Sequence, residues 1–131
     1  MRALSFILIF GFLLSCKKEN DLDLSRQLNG KWELRKIENF SGVSNYAPGN
    51  NISIEFKANL KYTSIDSTGL PENGSYTASF KKDCSGDKKR KYVTFSSGFA
   101  DNFYEIRDSS LIFSTSNCVA DGGVVTYRRI Q

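Results

Sequence analysis

Residues 52–64 read Ile-Ser-Ile-Glu-Phe-Lys-Ala-Asn-Leu-Lys-Tyr-Thr-Ser. Ile52, Ile54 and Phe56 alternate with Ser53, Glu55 and Lys57, the period-two pattern of a strand with one face in a core and the other in water. Ala58-Asn59 stands as a two-residue turn, although Ala-Asn is a poorer turn pair than Asn-Gly. Leu60, Tyr62 and Ser64 then share the next inward face, which makes the segment a hairpin.

The same texture extends in both directions. Upstream, Trp32 and Leu34 alternate with Glu33 and Arg35 until Ile37 breaks the phase, so a strand over about 30–38 is expected to carry a bulge. A Gly, Ser, Asn and Pro-rich connection follows from Phe40 to Asn51. Downstream, residues 66–74 read as a loop in which Asn73-Gly74 is the strong turn signal. Tyr76, Ala78 and Phe80 form the next inward set, then Val93 and Phe95, then Tyr104 and Ile106. Asp108-Ser109 looks like a tight turn. Leu111 and Phe113 come next, and Val125 and Tyr127 follow Gly122-Gly123. No stretch after Leu28 shows helical spacing over three turns. The expectation is an all-β domain of about eight short antiparallel strands in sequential order, which an up-and-down barrel closes without exposed edges.

The amino terminus belongs to a different category. Residues 1–16, MRALSFILIFGFLLSC, place one basic residue before an apolar run from Phe6 to Leu14. That run is too short for a membrane span of about 20 residues and has the form of a secretory signal. Leu13-Leu14-Ser15-Cys16 resembles the lipobox of bacterial lipoproteins. The resemblance implies that residues 1–15 are removed and that Cys16 carries acyl chains, which bury roughly 0.8 kcal/mol per CH₂ in a bilayer. The alternative is an ordinary signal cut near Ser15. Residues 16–27 then read as the lipidated cysteine and a polar tether, and residues 28–131 as the domain. Lys17 is not the aspartate that favours inner-membrane retention in enterobacterial lipoproteins, and the charged run after it is similar to tethers of Bacteroidota surface lipoproteins. Both point to the cell envelope and the outer membrane, with the leaflet open.

The opening strand carries a second resemblance. Leu28-Asn29-Gly30-Lys31-Trp32-Glu33-Leu34 is similar to the Gly-x-Trp signature of the lipocalin and calycin superfamily, and to the small lipocalin-like domains of Bacteroidota lipoproteins. The resemblance implies that Trp32 plugs one end of the barrel and that Arg128 or Arg129 packs across it as a cation–π contact. It also implies a small apolar or amphipathic ligand inside. Phe56, Tyr62, Tyr76, Phe80, Phe95, Tyr104, Phe113 and Tyr127 are the rings placed to line such a pocket, and equally to fill it.

The 131-residue chain has 18 Lys and Arg against 14 Asp and Glu, a formal charge of +4 that falls to +3 on loss of Arg2. Lys81, Lys82, Lys88, Lys89, Arg90 and Lys91 crowd around Cys84. They read as a solvated hairpin connection or as a patch for phosphate, anionic glycan or head groups. Nucleic acid does not suit an exported chain whose aromatic residues flank its basic cluster. With rim loops around 40–50, 66–74 and 81–91, the alternative role is an envelope scaffold that contacts proteins or anionic glycans. Cys84 and Cys118 are expected to pair in an oxidising compartment, against free or metal-bound thiols. No catalytic or metal site is expected: histidine is absent, and Asp83/Asp87 and Asp101/Glu105 are spaced too loosely for paired carboxylates. No cofactor motif appears.

Overall fold

A computed structural model of the chain describes residues 19–84, 86–97, 100–115 and 122–131. Among them one helix, α1 (Asp21–Leu28), precedes nine strands: β1 (Gly30–Asn39), β2 (Gly42–Asn45), β3 (Ser53–Phe56), β4 (Lys61–Ile65), β5 (Pro71–Lys82), β6 (Lys89–Phe95), β7 (Asn102–Arg107), β8 (Ser110–Ser114) and β9 (Val124–Arg129). Every pairing is antiparallel. Strands β3 to β9 follow in sequential order beside β1, and β1 also pairs with β9, so eight strands close into a barrel. The ninth, β2, is a short hairpin arm on the far half of β1, inside what the sequence suggests is an irregular connection. Its exposed residues give it no inward face, so alternation cannot reveal it.

The bulge falls where the phase breaks. Leu34 opposes Tyr127 and Lys36 opposes Thr126, which leaves Arg35 as the extra residue and keeps both Leu34 and Ile37 on the inner side. Inward residues then run in rows across the sheet. Phe56, Tyr62 and Gly74 form one row, and Ile54, Ser64 and Glu72 form the next towards the opposite end.

Two expectations are overturned here. Residues 21–27, read as part of a polar tether, are helical and packed: Leu24 and Leu28 are fully buried. Asn20 caps the helix by accepting from the Asp23 N–H, and Asp21, Asp23 and Arg26 suit its dipole. Two leucines four apart give too short an apolar stripe to be seen among seven polar neighbours, yet burying each contributes about 2 kcal/mol. Asn73-Gly74 is not a turn but lies within β5; the chain reverses earlier, at Asp66–Gly69. Gly74 is used instead for close approach, because the ring of Tyr62, directly opposite, occupies the space a Cβ would need.

Helix α1 closes the barrel end where β1 starts. The Trp32 indole N–H donates to the Leu28 carbonyl at 2.7 Å, and the Tyr104 hydroxyl donates to the Leu24 carbonyl at 3.0 Å. The Tyr76 hydroxyl sits among the Ser25 and Lys57 carbonyls and the Asn29 side chain. Arg129 is the arginine over Trp32, 4.1 Å from the ring, and it also donates to the Asn29 and Gln27 carbonyls. Arg128, its alternative, faces outward opposite Glu33 and is exposed. No helix of the described residues is long and apolar enough to cross a membrane.

Candidate functional site

From the capped end inward, the barrel is filled by rings. Tyr76 meets Phe56 edge-on at 4.8 Å, Phe56 lies 6.1 Å from Phe95, and Phe95 contacts Tyr62 at 5.1 Å and Phe113 at 6.3 Å. Phe113 in turn meets Tyr127 at 5.8 Å. Burial pushes the Tyr76 and Tyr127 phenols up to about 12, and it raises that of Tyr104 further, with Glu19 and Tyr76 adding to the effect.

The filling stops short of the other end. A cavity of about 410 Å³ opens there, between β1, the β2–β3 connection, the β4–β5 turn and β9. Leu34, Ile37, Ile52 and Val125 make one apolar wall, with Tyr46 and Tyr127; the β3–β5 side mixes Ser53, Ser64, Asp66, Ser67 and Glu72 with the apolar Ile65 and Leu70. The space exists because most inward strand residues of this half, Leu34, Ile37, Ser64 and Val125, are aliphatic or small, although Tyr127 and Glu72 also line it. Where the deeper row has Tyr62, the row above has Ser64.

One wall is tied down by charge buried on the outer side of β1. Glu33 accepts from the Gly49 N–H at 2.9 Å and pairs with Arg35. Desolvation pushes its carboxyl up, but Arg35 and the N–H groups of Gly49 and Asn51 together hold it below the ordinary glutamate value. Asn50 donates to the Leu34 carbonyl and accepts from the Ile52 N–H, which fixes the approach to β3. At the β4–β5 turn, the Asp66 carboxylate accepts from the hydroxyl and N–H of Thr68; these two bonds hold its pKa down.

Comparison with family models, curated proteins and solved structures returns no match. The closed eight-stranded barrel is compatible with a lipocalin-like fold on its geometry alone.

Of the eight rings named from the sequence, Tyr127 lines the cavity. Phe56, Tyr62, Tyr76, Phe95, Tyr104 and Phe113 belong to the packed core. Phe80 lies on the inward register of β5 but past the barrel's edge, 40 % exposed beside Leu22 of α1. The basic residues do not act as one patch. Lys81 lies 4.3 Å over Tyr92, and Arg90 lies 4.7 Å over Phe103 and donates to Ser114. Lys91 reaches Gln27 and Glu19. Lys82, Lys88 and Lys89 are exposed. Among the described residues no group of three His, Cys, Asp or Glu side chains could hold a metal. Cys16 and Cys118 lie outside the described residues. The cavity-lining Leu34, Ile37, Tyr46, Ile52, Ser64, Glu72 and Val125 were not legible as a set, because only the register brings them together. The available signal was the small Ser64 at an inward position.

Proposed function

We propose that the chain is a lipid-anchored, non-enzymatic binding protein of the cell envelope, held at the outer membrane through Cys16, whose barrel takes a small apolar or amphipathic molecule into its mouth. The observation that carries this reading is a cavity of about 410 Å³ at the barrel's open end, lined by apolar and polar side chains together, above an aromatic core. That volume is in the range of small-ligand pockets. The lipobox-like Leu13-Leu14-Ser15-Cys16 supports the anchor.

The test is titration with a neutral, environment-sensitive naphthylamine probe. Wild-type protein is expected to bind it with a blue shift, and Ser64→Phe, which fills the cavity from an inward position, is expected to lose the signal while keeping its melting temperature. Absence of binding by the wild type would overturn the reading. Incorporation of labelled palmitate, abolished by Cys16→Ala, tests the anchor separately.

A second reading, contact with an envelope protein through the rim, is favoured by one observation. Phe40, Val43 and Leu70 are exposed apolar residues, all on segments at the open end. Contact with anionic glycans is less well supported, since Lys81, Arg90 and Lys91 are engaged within the fold.

A further inference from the structure

The chain is basic overall, with 18 Lys and Arg against 14 Asp and Glu, yet among the described residues lining the mouth cavity the charged ones are Asp66 and Glu72, with no Lys or Arg. Their placement follows from the fold. Glu72 opposes Ser64 on the inward register of β5, and Asp66 follows the last residue of β4 at the same end. The two cations between Leu34 and Ile37 on β1 are committed elsewhere, Arg35 to Glu33 and Lys36 to Glu38. Deeper in the cavity is Ser64, only 5 % exposed, whose hydroxyl makes no hydrogen bond with the described residues and so offers an unused donor and acceptor. On the facing wall, Tyr46 and Tyr127 supply aromatic surface beside Leu34, Ile37 and Val125.

Resting on the reading of this cavity as a ligand site, we propose that the mouth selects amphipathic cations: an alkylammonium group between Asp66 and Glu72, with its tail along the apolar wall. Both carboxylates are solvent-exposed at the cavity rim, so their attraction for a cation is modest and falls with salt, while the apolar wall of Leu34, Ile37 and Val125 favours an alkyl tail over a hydrated inorganic ion. The same field disfavours a carboxylate ligand such as a fatty acid, which would meet two like charges and no donor cation. Thr68 donates to Asp66 twice, which holds its carboxyl below the ordinary aspartate value.

The experiment titrates mature protein in lipid nanodiscs with hexyltrimethylammonium, hexanol and hexanoate by calorimetry, subtracting empty nanodiscs. The cation is expected to bind at least about ten-fold tighter than hexanoate, equivalent to about 1.4 kcal/mol. Glu72→Gln, and Asp66→Asn, which keeps the turn geometry, are expected to shrink that preference without lowering the melting temperature. Hexanoate binding as tightly as the cation, with hexanol also bound, would overturn the charge selectivity and leave the ligand site standing. Failure of all three probes would overturn both. Cation binding that persists undiminished in Ser64→Phe would place it outside the cavity and also overturn the proposal.

Discussion

The Arg129 guanidinium lies 4.1 Å from the Trp32 ring and donates from the same group to the Asn29 carbonyl at 2.8 Å. One side chain from the last strand thereby joins the first strand to the residue that ends the helix, across the seam where β1 and β9 close the barrel. Gly30, at φ +125°, makes room for it: a Cβ there would meet Arg129 at 2.9 Å and the Gln131 carbonyl at 2.8 Å. Arg129→Lys keeps the charge but loses the planar fork, and is expected to cost about 1 kcal/mol; Arg129→Ala should cost about 2 kcal/mol. Urea midpoints measure both, and a lysine variant as stable as wild type would refute the claim that the fork matters.

Leu24 separates a structural helix from a tether. Leu24→Ala is expected to destabilise the domain by about 2–4 kcal/mol, as for a buried leucine, while Leu22→Ala, two residues earlier and 49 % exposed, should change stability by less than about 0.5 kcal/mol. Thermal melts of the two variants side by side decide the matter, and equal effects would count against helix α1 as a plug.

Gly74→Ala should be destabilising by about 1–3 kcal/mol, since the new methyl would press on the Tyr62 ring at 2.6 Å and the Ser96 hydroxyl at 2.8 Å. Trimming Tyr62 to leucine in the same chain should recover part of the loss. A double variant no better than the sum of its single changes would show that the contact is not the cause.

At alkaline pH the buried tyrosines govern stability. The phenols of Tyr76 and Tyr127 titrate near 10 when unfolded and are pushed to about 12 in the fold, so their neutral forms favour the native state. That contribution is whole below pH 10 and is lost as pH rises from about 10 towards 12. Tyrosinate absorbance and circular dichroism should therefore change together above pH 10. Tyr104→Phe should flatten the alkaline slope and cost about 1 kcal/mol at neutral pH, through loss of its bond to the Leu24 carbonyl. Ionisation of these phenols without unfolding would contradict the burial argument.

Cys84 and Thr115 border one depression on the outer face of the barrel, with Lys81, Tyr92 and Phe103. Cys118 follows Thr115 by three residues, a reach of about 10 Å of extended chain. A Cys84–Cys118 disulfide is expected, contributing roughly 3–4 kcal/mol by loop-closure reasoning. Mass measurement before and after alkylation of freshly isolated protein checks it; two free thiols would rule it out.

Alternation made the strands from Ile54 to Tyr127 readable because each buries one face, and the broken phase at Ile37 located the bulge at Arg35. Segments whose burial depends on distant partners were hidden. Leu24 and Leu28 become core only when Tyr76, Tyr104 and Trp32 present hydrogen-bonding groups to the helix backbone. Asn73-Gly74 has turn composition, and the competing demand came from Tyr62, twelve residues away. The cavity was hidden for a related reason. The sequence shows which residues point inward, but only register shows that aromatic rows stack at one end and Ser64, Glu72 and Val125 gather at the other.

Given an anchor at Cys16, helix α1 would set which way the barrel looks. From Cys16 to Asn20 there are only a few peptide links, about 14 Å at full extension, and after them the chain is fixed to the capped end. With lipid on Cys16, that end would rest near the bilayer and the mouth, at the opposite pole, would be turned towards the aqueous side. Cargo would then be loaded and unloaded through the surrounding fluid or a docking partner, rather than drawn sideways from the leaflet that holds the anchor.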